Sequence, residues 1–351
     1  MSRTLTRRMA LGGMAILAAR SAEPPALRLP RKLRLAMLGF EGHQGLILNE
    51  LPRLPDIELV AIYDSNPAQL AGNGRRPALA GARRYDDFRR LLDKEKVDIA
   101  GVCGPTSEHT PAILACAERG VNVVSEKPLA LTLPELESVR RAVAQHKIAL
   151  TMLLPMRFDG VYRAMRDVVA SGAIGEPAQV DAQKSYKLGE RPDWMRSKAD
   201  FGGTIPYIGI HMVDLIRFTS GRELTRSVSM SSRVGFPDMR DMQNTTGTLF
   251  HMDNGGVAVM HLDYLRPAQA EGHGDDRLRV AGTKGVIEYR EHSGLTLVTA
   301  NAAEHSVTPG PNASLFLDFL DAAYNGKPPA LPLSDIYRAN EIVLQAQNSI
   351  V

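Results

Sequence analysis

From Lys32 to about Leu154, short apolar runs alternate with amphipathic stretches of helical period. The runs Leu33–Phe40, Ile57–Asp64, Val97–Gly104, Val121–Glu126 and Ile148–Leu153 are rich in β-forming side chains. Thr110–Arg119 and Leu133–His146 read as helices between them. Strands and helices of these lengths in alternation predict a parallel, doubly wound sheet. Ligands on such sheets bind at the carboxyl ends of the strands.

After Met152–Phe158 the pattern changes. A helix is predicted from Tyr162, followed by longer β-type segments at Ala178–Tyr186, Thr225–Val234, Thr245–Met252 and Gly256–Tyr264. "HMDNGG" (251–256) is a hairpin turn by composition, and "GTKGVIEY" (282–289) is a turn leading into a strand. Hairpin-linked strands predict a mainly antiparallel, open-faced sheet in an α+β unit. A further helix is expected within Phe201–Gly221, and closing helices at Ala313–Tyr324 and Ser334–Ile350. The expected division is 1–31 as signal and linker, 32–154 as a nucleotide-binding domain and 155–351 as a substrate domain, to which the family resemblance given below adds oligomerisation.

Composition narrows the class. A length of 351 residues with 44% hydrophobic and 23% charged positions suits a globular protein with two sizeable cores. The formal net charge is only +3 and no basic tract is interleaved with aromatics, so nucleic-acid binding has no support. Two cysteines, Cys103 and Cys116, cannot build a disulfide framework. His273 and Asp275 in "AEGHGDDRLR" (270–279), read as a polar loop, lack a third ligand at suitable spacing, so no metal site is expected.

The first residues differ from the rest. "TRRMALGGMAILAARSAEPP" puts Arg7-Arg8 before a short apolar run, then small residues, then prolines. That is the layout of an export signal of twin-arginine type. The run is too short for a retained membrane helix. A periplasmic or exported location is expected, with a disordered basic N-terminus of a cytoplasmic protein as the alternative.

The candidate chemistry sits at strand ends. "GFEGHQG" follows the first strand, with Gly39 and Gly42, but Glu41 and Gln44 occupy the third and sixth places of the dinucleotide fingerprint. Asp64 ends the second strand about twenty residues on, where a carboxylate accepts from a ribose diol and repels a 2′-phosphate, favouring NAD over NADP. Pro105 and Thr106 end the fourth strand, with His109 in the following turn. The fifth ends in Ser125-Glu126-Lys127-Pro128, placing a carboxylate and an ammonium on the same edge, before a bond that can adopt cis. Tyr207, His211 and Asp214 can share one face of the later helix. They are either amphipathic core residues or part of a proton-handling set around His211. Trp194 and Arg191 either line a sugar pocket or pack a loop.

"SEKPLALT", "MRFDGVYRAMRDVVASGAIGEP", "GGTIPYIGIHMVDLIRFTSG" and "RLRVAGTKGVIEY" together resemble the Gfo/Idh/MocA oxidoreductases. The resemblance implies a Rossmann domain, a C-terminal domain with a large antiparallel sheet, a nicotinamide cofactor, sugar or cyclitol substrates, and dimers or tetramers packed through the sheet face. It assigns Lys127 to the reacting hydroxyl, Glu126 to the cofactor side, His211 to proton transfer and Arg157 to the nicotinamide. Three positions depart from the family pattern: Tyr207 replaces an aspartate, Thr106 replaces an asparagine, and the glycine fingerprint is displaced. Three functions remain open: oxidation of a secondary alcohol with NAD, an exported glycoside lyase or hydrolase cycling a tightly bound NAD, and a non-catalytic sugar-binding or scaffold protein.

Overall fold

The computed structural model describes residues 27–351, so the export-signal segment lies outside the described residues. The first sheet is built from β1 (Leu33–Leu38), β2 (Ile57–Tyr63), β3 (Arg83–Tyr85), β4 (Ile99–Val102), β5 (Asn122–Ser125) and β6 (Leu150–Met152). Between them run α1 (Gly45–Leu48), α2 (Pro67–Asn73), α3 (Phe88–Lys94), α4 (Thr106–Glu118) and α5 (Leu133–His146). The strand order is β3-β2-β1-β4-β5-β6, every pairing is parallel, and the central strands are apolar on both faces. Helices on both sides explain those continuous apolar runs. Thr132 and Glu135 cap α5 reciprocally, which fixes where the chain turns after β5.

The second unit opens with α6 (Gly160–Ala170) and β7 (Pro177–Tyr186), then α7 (Lys198–Phe201), a π-turn at Ile205–Gly209 and α8 (Ile210–Ser220). β8 (Leu224–Ser232), β9 (Thr245–Met252), β10 (Val257–Asp263), β11 (Gly274–Gly282), β12 (Gly285–Arg290), β13 (Gly294–Thr299) and β14 (Ala302–Ser306) complete an eight-stranded sheet in the order β14-β13-β12-β11-β7-β10-β9-β8. Only β7–β10 is parallel. The inward phase of β10 is apolar (Ala258, Met260, Leu262), that of β9 joins Thr246 and Thr248 to Phe250 and Met252, and the outward positions are exposed or half-buried, as expected for a sheet covered on one face by α6 and α8.

α9 (Leu315–Asn325) and α10 (Leu333–Asn348) return to the first unit. α10 sends the buried Asn340 side chain into the first domain, where its Oδ1 accepts from the Leu129 N–H at 2.8 Å. Among the described residues no helix is long and apolar enough to cross a membrane.

Two readings of the chain need correction. The expected loop at 270–279 is half strand, because β11 starts at Gly274 and pairs with β7. The helix expected within Phe201–Gly221 follows the opening glycines, but its first turn, Ile205–Gly209, is a π-turn that carries Tyr207, and the regular helix α8 starts only at Ile210, so Tyr207 does not share one α-helical face with His211 and Asp214.

Candidate active site

The turn after β5 is fixed from three sides. His109, in the first turn of α4 rather than in a loop, faces the Pro128 carbonyl with Nδ1 at 2.7 Å and the Gly104 carbonyl with Nε2 at 2.9 Å. Thr110 donates to the Leu129 carbonyl at 3.2 Å, and Asn340 holds the Leu129 N–H from α10. The Lys127–Pro128 peptide is cis. His109 is therefore buried behind the strand edge with both nitrogens on main chain, a positioning residue rather than a cofactor contact.

That turn presents Glu126 and Lys127 side by side, both buried, with Lys127 Nζ 3.3 Å from Glu126 Oε1. The Lys127 ammonium lies 3.4 Å from the centre of the Tyr207 ring. Burial lowers the lysine, Glu126 pulls it back up, and Lys184 and Arg191 push it down again, leaving it at about 8. Burial pushes Glu126 up, but His43 and Lys127 outweigh this and leave it at about 2. The Tyr207 phenol moves well above its ordinary range, first through burial and then through Glu126, so it is no proton carrier near neutrality. Tyr207 is an aromatic floor under Lys127. Trp194 packs edge-on against Tyr207 at 5.8 Å and against Phe201 at 6.1 Å, which makes it a wall of that aromatic cluster.

His211 stands at the start of α8. It is buried, and its Nδ1 is sealed without a hydrogen-bond partner. Burial, then Lys184, Lys127 and His43, hold it well below the ordinary histidine range, so it is neutral. Asp214, one turn on, serves a different purpose. Its carboxylate takes Arg157 bidentately, with Nε–Oδ2 at 3.0 Å and a shorter Nη2–Oδ1 contact, while Arg157 Nη1 reaches Asp335 at 2.7 Å. Every terminal nitrogen of Arg157 is thus committed to a buried ion cluster joining the segment after β6 to α8 and α10. The expectation that Arg157 faces a nicotinamide does not hold, because this pairing turns its donors away.

The glycine loop explains its own irregularity. Gly39 has φ +96°, and a Cβ there would sit 2.3 Å from the Gly104 nitrogen, so only glycine lets β1 run this close to the end of β4. At Gly42, φ +59°, a Cβ would lie 2.7 Å from the Glu126 carboxyl. The displaced glycine makes room for Glu126, which accepts from the His43 N–H at 3.2 Å and lies 2.9 Å from His43 Nδ1. Glu41 reaches Gln69 on α2 at 3.2 Å.

Sequence reasoning missed three groups. His43 rises from the glycine loop and meets His211 edge-on at 5.3 Å. Lys184 and Asp276 are directly opposite in the β7–β11 register, and Nζ–Oδ2 is 2.6 Å. Both occupy the inward phase of their strands, the phase shared with Val180, Ala182, Leu278 and Val280. A lysine on an apolar inward phase was the available signal, but reading 270–279 as loop hid its partner. His43, His211, Lys184, Tyr186, Asp276 and Asp159 line one cavity of about 240 Å³. Burial, opposed by Lys184, leaves Asp159 at about 6.

The residues fit a dinucleotide on the first sheet. Thr106, at the carboxyl end of β4 beside the half-buried Pro105, has a buried hydroxyl with no partner, as does the Gln44 side-chain oxygen. Asp64 is buried at the end of β2, one oxygen accepting from the Asn66 N–H at 2.8 Å; burial raises it above the ordinary aspartate value. Unpaired buried hydroxyls and amide oxygens are costly unless a ligand satisfies them.

A parallel six-stranded sheet with glycine loop, Asp64 and orphaned polar atoms on its open edge, backed by a substrate-type cavity with a buried lysine, defines a nicotinamide-dependent oxidoreductase. The comparisons are specific. Residues 33–153 match the model described as an oxidoreductase family with NAD-binding Rossmann fold, and residues 162–288 match the GFO/IDH/MocA C-terminal domain. The chain belongs to the GFO/IDH/MocA oxidoreductase family. It is 27% identical to myo-inositol 2-dehydrogenase of Thermotoga maritima over 73% of this chain and 74% of that protein. It is 26% identical to the scyllo-inositol 2-dehydrogenase (NAD(+)) of Bacillus subtilis over 90% of this chain and 92% of that one. The solved levoglucosan dehydrogenase complex with NADH and levoglucosan superposes with a TM-score of 0.77 over 91% of this chain and 97% of that one, at 20% identity, a likeness of fold.

Proposed function

We propose that this chain oxidises a secondary alcohol of a sugar, glycoside or cyclitol with NAD. The observation that carries the reading is Lys127: a lysine held at about 8 by burial and fixed by Glu126 and the Tyr207 ring, at the carboxyl end of β5. The inositol dehydrogenases among the relatives support the substrate class. Thr106, Asp64, Gly39 and the Gln44 side chain would hold the dinucleotide, which when bound accepts the hydride from the carbinol carbon. Asp64 supports NAD over NADP by repelling a 2′-phosphate.

The chain's own groups do the rest. Neutral Lys127 accepts the hydroxyl proton as the carbonyl forms. His211, neutral and sealed at Nδ1, offers only its other nitrogen and orients the alcohol. The Lys184–Asp276 pair and the tyrosine rings around the cavity position the remaining hydroxyls, so that binding supplies orientation. The test is NAD reduction by myo-inositol, scyllo-inositol and methyl glucosides, followed spectrophotometrically. Lys127→Ala should abolish turnover with the fold intact; retained turnover refutes the role.

The twin-arginine-like N-terminus supports export of the folded, NAD-loaded protein, tested by fractionating cells that express the full chain. The same segment favours a second reading, in which a tightly held NAD is reoxidised within one cycle of glycoside cleavage. One equivalent of NAD released on denaturing the dialysed protein supports it; no release refutes it. Exposed Val228, Met230 and Leu249 on the outer sheet face, the first and last opposite each other in the β8–β9 register, support a homo-oligomer packed through that face.

A further inference from the structure

We propose that His43 is the proton exit of this site: Lys127, Glu126 and His43 form a chain that carries the substrate's hydroxyl proton from the buried amine to solvent. The inference rests on the dehydrogenase reading and assigns a residue of the glycine loop to the reaction.

The geometry is continuous. Lys127 Nζ is 3.3 Å from Glu126 Oε1, and His43 Nδ1 lies 2.9 Å from Oε1 and 3.1 Å from Oε2 of the same carboxylate. The His43 main-chain N–H also donates to Oε2 at 3.2 Å, so the loop and the ring are fixed on Glu126 together. Gly42 permits that approach, since a Cβ there would overlap the Glu126 carboxyl. The irregular "GFEGHQG" loop is shaped around this contact.

Accessibility sets the direction. The side chains of Lys127 and Glu126 are 3% and 2% exposed, whereas His43 is 35% exposed and lines the cavity. Among the described residues Lys127 Nζ has one ion-pair partner, Glu126, and the aromatic face of Tyr207 lies 3.4 Å from it. His211 does not compete. Its Nδ1 is sealed with no hydrogen-bond partner among the described residues, and its ring meets His43 edge-on.

The step balances. The alcohol's C–H leaves as hydride to NAD, and its O–H proton bonds to neutral Lys127 Nζ. The ammonium gives a proton to Glu126 Oε1, the carboxyl O–H gives it to His43 Nδ1, and His43 Nε2–H gives one to water. The carbonyl product, NADH and one solvent proton result. Lys127 and Glu126 regain their starting charges. Nδ1–H donating to the ionised Glu126 is thus the state after release, and before the next turnover the imidazole exchanges through water to the Nε2–H tautomer, whose bare Nδ1 can accept.

The test uses the NAD-loaded protein with myo-inositol as probe alcohol. In His43→Gln, NADH binding should stay within about twofold, kcat should fall about 10–100-fold, and millimolar imidazole should restore much of it. Proton release to an indicator dye should lag behind NADH formation. Glu126→Gln keeps an oxygen for the His43 N–H but cannot relay a proton, and must show the same lag. Unchanged kcat, or a loss without lag and without imidazole rescue, overturns the proposal. Failure of the wild-type protein to oxidise any polyol refutes the dehydrogenase reading instead, and a second readout then decides on His43. Diethyl pyrocarbonate should modify His43 in the NAD-loaded protein while His109 and His211 stay unmodified, mapped by mass spectrometry. A protected His43 closes the exit and overturns the proposal.

Discussion

Raising the pH across the alkaline range titrates Lys127, and its surroundings set where the rate must rise. Burial lowers this lysine, the Glu126 carboxylate at 3.3 Å restores part of the loss, and Lys184 and Arg191 lower it again, to about 8. Against an ordinary lysine near 10.4, that shift amounts to about 3 kcal/mol of differential interaction between the two protonation states. At neutral pH roughly one-tenth of the molecules then carry the free amine, on the order of 300-fold more than for an ordinary lysine. The assay is kcat/KM for polyol oxidation between roughly pH 6 and 10 at constant ionic strength, which reports the free enzyme. The value should climb about tenfold per pH unit, bend near 8 and level off above it. A profile that climbs unbroken to 10 refutes the burial argument. A flat profile removes Lys127 as the base, whatever its environment.

Arg157→Met leaves Asp214 buried without its partner and should cost about 3–5 kcal/mol in urea denaturation; Arg157→Met/Asp214→Leu should recover most of it, and equal losses in both would refute the ion-cluster account. Gly39→Ala forces a side chain into φ +96° against the Gly104 backbone. It should lower stability by about 1–3 kcal/mol and weaken NADH binding, read by calorimetry and fluorescence titration. Met230→Asp puts a charge on the outer sheet face, where Met230 is 65% exposed. Light scattering should then show a smaller particle at unchanged thermal stability; an unchanged mass removes that face as the interface.

The fold was legible in its run lengths and turns. Continuous apolar runs such as Ile99–Val102 demand a sheet covered on both faces, and the hairpin turn between Thr245–Met252 and Val257–Asp263 demands antiparallel pairing. The dense end of the site was also legible, since a strand closing in Glu126-Lys127-Pro128 has no reason to be apolar. What stayed hidden depends on contacts distant in sequence. Lys184 meets Asp276 only through the β7–β11 register, and Arg157 meets Asp214 and Asp335 only when three elements converge. His109 looked like a turn residue because nothing local shows that α4 starts at Thr106 and buries it against two carbonyls.

Tyr207 and the displaced glycines looked like two separate departures from the family pattern, and the structure joins them. With tyrosine at 207 the site loses a carboxylate on the His211 side, and His211, neutral and sealed at Nδ1, has nothing to orient a proton transfer. The carboxylate beside Lys127 is Glu126, and it can meet an imidazole only if the loop after β1 comes close enough to deliver one. Glycine at 42 rather than at the fingerprint's third place allows that approach, and the next residue is His43. A larger residue at 42 would therefore separate His43 from Glu126 while leaving Asp64 and Thr106 in place. Gly42→Ala should keep NADH binding and lose proton release, a separation that a purely nucleotide-binding loop would not produce.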